Sequence, residues 1–389
     1  MGRSVANVEV VNDTDLRGAD GYLDAASAQP LHPAAREMLM SAYTEGWADP
    51  RALHSPGRRA RMLLDNAREV VATLLGARPD EVSFRPSGTE AIHAAVLGTA
   101  QARSRVGRTI VYSAVEHSVV IQAARWLEDH GGTSVSVPVD ATGRVDSDTF
   151  VAEVGAAGVA VACLQQANHE VATLQPVDWV AQGCLAAGVP LFVDASQAAG
   201  RLDPPPGWSL LTASARTWGG PSGVGVLAVR KGTRWREPGP ADDRGYADVP
   251  GALAAAAALR AVVAEREAVN AHQFALVERI RSQVAATVPD VDVVGADKDR
   301  LPHLVTFSCL HVEGEALVTE LDRRGFSVAS GSACTASTLE TSHVLAAMGA
   351  LTHGNVRVSL TASTSDDEVD RFLAALRDVV ARLREELGV

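Results

Sequence analysis

Val159-Ala160-Val161-Ala162-Cys163-Leu164-Gln165-Gln166-Ala167-Asn168-His169-Glu170 and Pro190-Leu191-Phe192-Val193-Asp194-Ala195-Ser196-Gln197 each pass from an unbroken apolar run straight into polar residues. Apolar runs without alternation suit strands covered on both faces, the setting of a parallel sheet packed between helices. Further out, β-rich runs at Val82–Phe84 and Thr109–Tyr112 alternate with helical stretches opening at Thr89, Ser118 and Val177. That alternation reads as βαβ units and predicts an α/β fold, a mostly parallel sheet with helices on both faces. Ligands of such sheets sit at the carboxyl ends of strands. The segments to inspect are therefore Ser87–Glu90, Ala114–Ser118, Ala167–Glu170 and Asp194–Gln197.

Between Gly57 and Leu75 the residues Ala60, Leu63, Leu64, Ala67, Val70, Val71 and Leu74 recur at helical spacing, with Arg and Asp opposite. The Pro/Gly/Asp-rich stretch Glu237–Pro250 is a composition break. Residues 21–250 are accordingly expected to form a larger α/β domain and 251–389 a smaller α+β domain, joined by residues 1–20 or their neighbours. The smaller unit should hold a long helix from about Gly251 to Val288, interrupted or bent near its middle. Strands at Leu304–Phe307 and Val356–Leu360 and a closing helix from Ser365 to Leu387 complete it.

The 389 residues are 47% hydrophobic and 21% charged, an ordinary globular composition able to bury a large core. A formal charge of −12 argues against nucleic acid as the partner, because phosphate backbones need clustered Lys and Arg. The longest apolar stretch, Val249 to Leu259, is too short to cross a membrane, and Met1–Asp20 has no basic-then-apolar leader. The expected location is cytoplasmic, with reduced thiols. Cys163, Cys184, Cys309 and Cys334 show neither disulfide nor zinc spacing, so no metal is expected. Lys231 and Lys298 are the only lysines, which leaves any amine chemistry two candidates.

Ser87-Gly88-Thr89-Glu90 sets a glycine and hydroxyls at a strand-to-helix turn, where free N–H groups favour a phosphate; the same residue types also serve as plain N-caps. Asp194 closes an apolar strand, and a buried carboxylate needs a partner. A protonated heterocyclic nitrogen, as in pyridoxal phosphate sites, is one such partner and a structural donor is another. The Gly-dense loop Ser214–Gly225, with Arg216, suits a phosphate or a surface hairpin. His117 follows a strand, placed to stack on or protonate a ligand, or to serve structure. Gly331-Ser332-Ala333-Cys334-Thr335 surrounds a thiol with small residues that cannot bury it, which favours a reactive thiol. Arg357, inside an apolar strand, calls for a carboxylate, the protein's own or a substrate's.

Read in order, Tyr22-Leu23-Asp24-Ala25-Ala26, Ser87-Gly88-Thr89-Glu90, Glu116-His117-Ser118, Asn168-His169-Glu170, Asp194-Ala195-Ser196-Gln197, Gly219-Gly220-Pro221, Ser330-Gly331-Ser332-Ala333-Cys334-Thr335 and Val356-Arg357-Val358 resemble the cysteine desulfurases. These are class-V aminotransferase-like homodimers of the fold-type-I pyridoxal phosphate enzymes. The resemblance, from about Gly21 to the C-terminus, implies that His117 stacks on the cofactor ring and shuttles protons, Asp194 pairs with the pyridine nitrogen and Gln197 contacts the ring hydroxyl. It gives Gly88, Thr89, Ser214 and Arg216 to the phosphate side, Asn168 and Arg357 to a cysteine-like substrate, and Cys334 to the sulfur. A homodimer and a sulfur-acceptor protein are the implied partners.

The family pattern places the Schiff-base lysine where this chain has Thr217, and a hydroxyl forms no imine. Arg216 stands where the family has His, His169 where it has a second Asn, and Gly245-Tyr246 where it has Gly-Thr. Three readings stay open, and with them whether the chain is an enzyme. It retains sulfur or amino-acid chemistry through Cys334 with pyridoxal phosphate non-covalent or absent; or it is an inactive homologue kept as a binding or scaffold protein in sulfur transfer; or it is an active desulfurase captured as a lysine-to-threonine variant.

Overall fold

The computed structural model describes residues 20–239, 248–330 and 341–388. Strands β1 (Val82–Arg85), β2 (Thr109–Ser113), β3 (Thr133–Val137), β4 (Val159–Cys163), β5 (Leu191–Asp194), β6 (Leu210–Ser214) and β7 (Gly225–Val229) form one sheet in the order β1-β7-β6-β5-β4-β2-β3. From β6 to β3 neighbouring strands run parallel, while β7 is antiparallel to both β6 and β1. Every residue of β4, β5 and β6 is buried, as unbroken apolar runs require.

The two-residue period of the strands sorts side chains between two helical layers. Ile110, Phe192, Leu210 and Leu227 pack with residues of α3 (Gly88–Ala102) and α4 (Ser118–Asp129). Their neighbours Val111, Leu191, Val193, Leu211 and Val226 pack on the opposite layer, with α2 (Ser55–Leu74), α5 (Ser147–Val154), α6 (Val177–Ala187) and the first turns of α7 (Val249–Thr287). Helix α1 (Pro33–Glu45) lies outside this layer against α7 and buries only Ala35 and Ala42. The mostly parallel sheet between helices is the expected α/β architecture.

A second, antiparallel sheet of order β10-β9-β8 is made by β8 (Val291–Val294), β9 (Leu304–Cys309) and β10 (Asn355–Ser359). It shares a separate core with α8 (Gly314–Arg323), α10 (Asp366–Leu387) and the last turns of α7. Leu23 joins this core because its N–H donates to the Ser327 carbonyl and its carbonyl accepts from the Ser359 N–H, each at 2.8 Å. A short helix α9 (His343–Met348) packs on Val115, Val171 and Val294.

The sequence reading expects a break or bend in the long helix, and α7 instead runs without interruption for 39 residues. Between Ala252 and Thr287 there is no Gly or Pro to break it. What changes is the packing: Val249 to Leu259 is buried all round in the larger core, whereas Leu276, Val277, Ile280 and Val284 form a one-sided stripe in the smaller. No helix among the described residues is long and apolar enough to cross a membrane.

Candidate active site

The carboxyl ends of the parallel strands open on a pocket, and all four polar segments flagged in the sequence reach it. Its wall includes Ser87, Gly88 and Thr89 after β1, His117 after β2, Gln165, Ala167 and His169 after β4, and Asp194, Ser196 and Gln197 after β5. Ser214 at the end of β6, Arg216, Thr217 and Ser222 from its connection to β7, and Ile92 of the helix after β1 complete it.

Local hydrogen bonds set each side chain. Ser87 caps α3 by accepting the Glu90 N–H at 3.1 Å. A Cβ on Gly88 would lie 2.9 Å from the Ser214 Cβ, so only glycine lets the start of α3 sit this close to the end of β6. Asp194 Oδ1 accepts from the Ser196 N–H at 2.9 Å and its hydroxyl at 2.6 Å, which steadies a carboxylate at the mouth of a buried strand. Gln197 donates from Nε2 to the Ala26 carbonyl at 2.8 Å, and its Oε1 has no partner among the described residues.

His117 caps α4, its Nδ1 accepting from the Val119 N–H at 3.2 Å. A neutral ring so held carries its proton on Nε2. Burial lowers its pKa and Asp194 pulls it back up, while Arg216, His343 and Arg357 add to the lowering. Behind it Glu116 is fully buried, with Oε1 accepting from the Gln165 N–H at 2.7 Å. Burial pushes this carboxyl up to about 8, so it is protonated at neutral pH.

Thr217 is buried, and its hydroxyl lies 2.8 Å from the Ser214 carbonyl and 2.5 Å from the Ser196 carbonyl. The side chain closes its own turn. No lysine lines the pocket. Gly225 lies opposite Ser214 at the pocket end of β7, and Lys231 lies past the other end of that strand. At about 3.4 Å per residue this separation is roughly 20 Å, beyond the reach of a lysine side chain. Lys231 and Lys298 are both exposed.

Asn168 and Arg357, the two residues expected to meet substrate, are hydrogen-bonded within the chain. Asn168 is fully buried and does not line the pocket: Nδ2 donates to the Val115 carbonyl at 3.0 Å, and Oδ1 accepts the Glu170 and Val171 N–H groups at 2.8 Å each. Arg357 donates to Asp24 Oδ1 at 2.8 Å, the Ser27 hydroxyl at 2.6 Å and the His169 carbonyl at 3.2 Å, the own-carboxylate alternative for an interior arginine. Among the pocket residues to which the sequence reading gives no role, with Ile92, Gln165, Ser196 and Ser222, is His169, whose ring centroid lies 4.8 Å from that of His117. Its signal was present as a departure from the family pattern.

Cys334, and with it Gly331–Thr335 and Gly245-Tyr246, lies outside the described residues. Cys163, Cys184 and Cys309 are buried, and burial raises all three thiols, Cys163 well above the usual value, Cys184 to about 12 and Cys309 to about 11. No cluster able to hold a metal ion occurs among the described residues.

Comparison with known proteins matches the aminotransferase class-V family over residues 21–238 and 232–372. The chain is 36% identical over 381 residues to an IscS-like cysteine desulfurase of Mycobacterium tuberculosis, covering 93% of this chain and 97% of that one. It is 34% identical over 383 residues to the cysteine desulfurase NifS of Azotobacter vinelandii, covering 94% of each. A solved NifS-like protein superposes with a TM-score of 0.84 at 27% identity, over 93% of this chain and 99% of that one. The cysteine desulfurase of Thermococcus onnurineus, solved in its apo form, shares the fold with a TM-score of 0.82 at 20% identity, over 96% of this chain and 99% of that one.

Proposed function

The chain belongs to the aminotransferase class-V family and aligns with cysteine desulfurases over almost its whole length, and from that premise we propose a desulfurase-type site that holds a pyridoxal phosphate-type ligand without a covalent anchor. The observation that carries this reading is Thr217, whose hydroxyl is spent on backbone carbonyls in a pocket that no amine lines.

The residues present fit a flat, phosphorylated pyridine. Asp194 would pair with a protonated ring nitrogen, and the unpartnered Oε1 of Gln197 would accept from a ring hydroxyl. Gly88 and Thr89, at the start of α3, would hold the phosphate together with Ser214 and Arg216. The chemistry such a group supplies when bound is withdrawal of electrons from the α-carbon of an amino acid joined to it. His117, with its proton on Nε2, would donate to or relay a proton for the bound ligand. Cys334 would take the sulfur of cysteine or a related amino acid and pass it to an acceptor protein.

Residues 21–250 would carry the pocket and 251–389 would form the smaller domain beside it. A second copy would cover the face formed by α1 and the loop joining it to α2, where Met40, Tyr43, Trp47 and Leu53 are each at least 60% exposed. A reducing compartment, the cytoplasm, suits a free Cys334 thiol.

The test is titration of the purified protein with pyridoxal 5′-phosphate, followed by dialysis and, separately, by borohydride reduction. Saturable binding that dialysis removes, with no pyridoxyl adduct on Lys231 or Lys298 by mass spectrometry, is the expected result. An adduct on either lysine overturns it. A second reading, a homologue kept for binding or scaffolding in sulfur transfer, draws on the same threonine. Alanine formation from cysteine by the loaded protein would exclude that reading.

A further inference from the structure

A second cavity, of about 870 Å³, opens where the chain entering α1, the middle of α7 and the turn after β10 meet, and it shares no lining residue with the pocket described above. Pro30, Leu31, Trp218, Val262 and Val269 give it apolar walls. Arg201 lines it too and is only 6% exposed. Its Nη1 donates to the Gln197 carbonyl at 3.1 Å and its Nη2 to the Thr217 carbonyl at 2.8 Å. A guanidinium has five N–H groups; neutral carbonyls take two of these, and no carboxylate among the described residues takes any.

The acidic side chains of the cavity are committed elsewhere. Asp20 accepts from Arg371 at 2.6 Å, and Glu368 takes the Gly21 N–H at 2.7 Å while capping α10. Glu265 is exposed and meets His32 at 3.4 Å, and Arg266 has Asp203 at 2.7 Å. Burial alone acts on Arg201, lowering its pKa to about 10, so it stays charged at neutral pH with no acid to offset it. A buried cation without a counter-charge is costly, and a ligand that brings the counter-charge removes much of that cost. We propose that this cavity binds a small organic carboxylate, its anionic end on Arg201 and its apolar body against Leu31, Trp218 and Val269. The volume is that of small-molecule sites, and a planar carboxylate matches the guanidinium fork. On the facing turn the hydroxyls of Thr361 and Ser363, 3.1 Å apart, supply further donors. A compact inorganic anion would leave the apolar walls wet, and a neutral apolar molecule would leave Arg201 without its counter-charge.

The experiment is a ligand-observed NMR titration of the full-length protein with 4-phenylbutanoate and, separately, its neutral amide, on wild type, Arg201→Met and Val269→Trp. Wild type should bind the carboxylate saturably with a Kd of about 1–5 mM, the scale for about a dozen non-hydrogen atoms, and the amide at least about tenfold more weakly. Arg201→Met keeps an apolar stem and loses the charge, so it should bind acid and amide alike, the acid at least about tenfold more weakly than wild type does. Val269→Trp fills the cavity without touching the guanidinium and should bind neither. Excess pyridoxal 5′-phosphate should leave the affinity for the carboxylate within about twofold. Should Arg201→Met fail to fold, having lost its bonds to two carbonyls, Val269→Trp and the comparison of acid with amide on wild type give the same reading. Equal affinity of wild type for acid and amide, binding undiminished by Val269→Trp, or displacement by pyridoxal 5′-phosphate, which places the probe in the other pocket, each overturns the inference. Absence of saturable binding to wild type overturns it as well, because Arg201 then finds its counter-charge within the chain.

Discussion

Replacing Thr217 by Val keeps the shape of the side chain and removes the hydroxyl, which asks directly whether this residue is structural. Thr217 is 2% exposed, and its single hydroxyl proton serves the Ser214 carbonyl at 2.8 Å and the Ser196 carbonyl at 2.5 Å. Losing a buried hydrogen bond and leaving an acceptor dry costs about 1–3 kcal/mol. Scaled at about 2.1 cal/mol/K per residue, the melting entropy of a chain this long is about 0.8 kcal/mol/K, so the expected fall in Tm is about 1–4 °C. Thermal unfolding without ligand, checked by urea unfolding at constant slope, reads it. Affinity for pyridoxal 5′-phosphate should change less than about threefold, because a ligand held without a covalent bond does not use this hydroxyl. A Tm equal to wild type would refute the assignment of Thr217 to the turn. A large loss of affinity at unchanged Tm would place its hydroxyl on the ligand instead.

Limited alkylation of the native protein should label Cys334 before Cys163, Cys184 or Cys309, since those three are buried and held protonated; peptide mapping checks it, and prior labelling of a buried thiol refutes it. Glu116 is raised to about 8 in the fold, so its contribution is fully present below the carboxylate pKa of the unfolded chain and is lost as pH rises toward 8. Glu116→Gln should therefore flatten the decline of Tm with pH over that window, and an unchanged profile counts against a buried protonated Glu116. Leu53→Glu together with Trp47→Glu should shift a dimer to monomer in light scattering, whereas an unaltered mass places the interface elsewhere. Gly88→Ala should destabilise by about 1–3 kcal/mol and weaken phosphate-ligand binding, because the new Cβ would lie 2.9 Å from that of Ser214.

The layers and the location of the pocket were legible because buried parallel strands leave little room for ambiguity. β4 and β5 are apolar throughout, and whatever polar residues follow them must emerge at one edge of the sheet. Elements that carry little of that signal were missed. β3 is an edge strand, Thr-Ser-Val-Ser-Val, with one fully covered residue. α1 buries only two alanines and turns Met40 and Tyr43 outward, so its apolar residues do not mark a core-facing stripe. β6 is not read as a strand either, and only its last residue, Ser214, enters the glycine-dense loop, although all five of its residues are buried.

Within the site, sequence identified the segments better than the orientations inside them. Asn168 and His169 are adjacent, and motif order alone assigns both to the same place. Which of them faces the pocket depends on a short turn, where the Glu170 and Val171 N–H groups donate to the side-chain Oδ1 of Asn168. The same logic governs Thr217, whose role is set by the carbonyls of Ser196 and Ser214, residues 21 and 3 positions away. A motif therefore fixes which side chains are available, and the backbone groups left unpaired around it decide which of them are free to do chemistry. Thr217 is tied to its turn, whereas His169 lines the pocket with neither ring nitrogen partnered among the described residues.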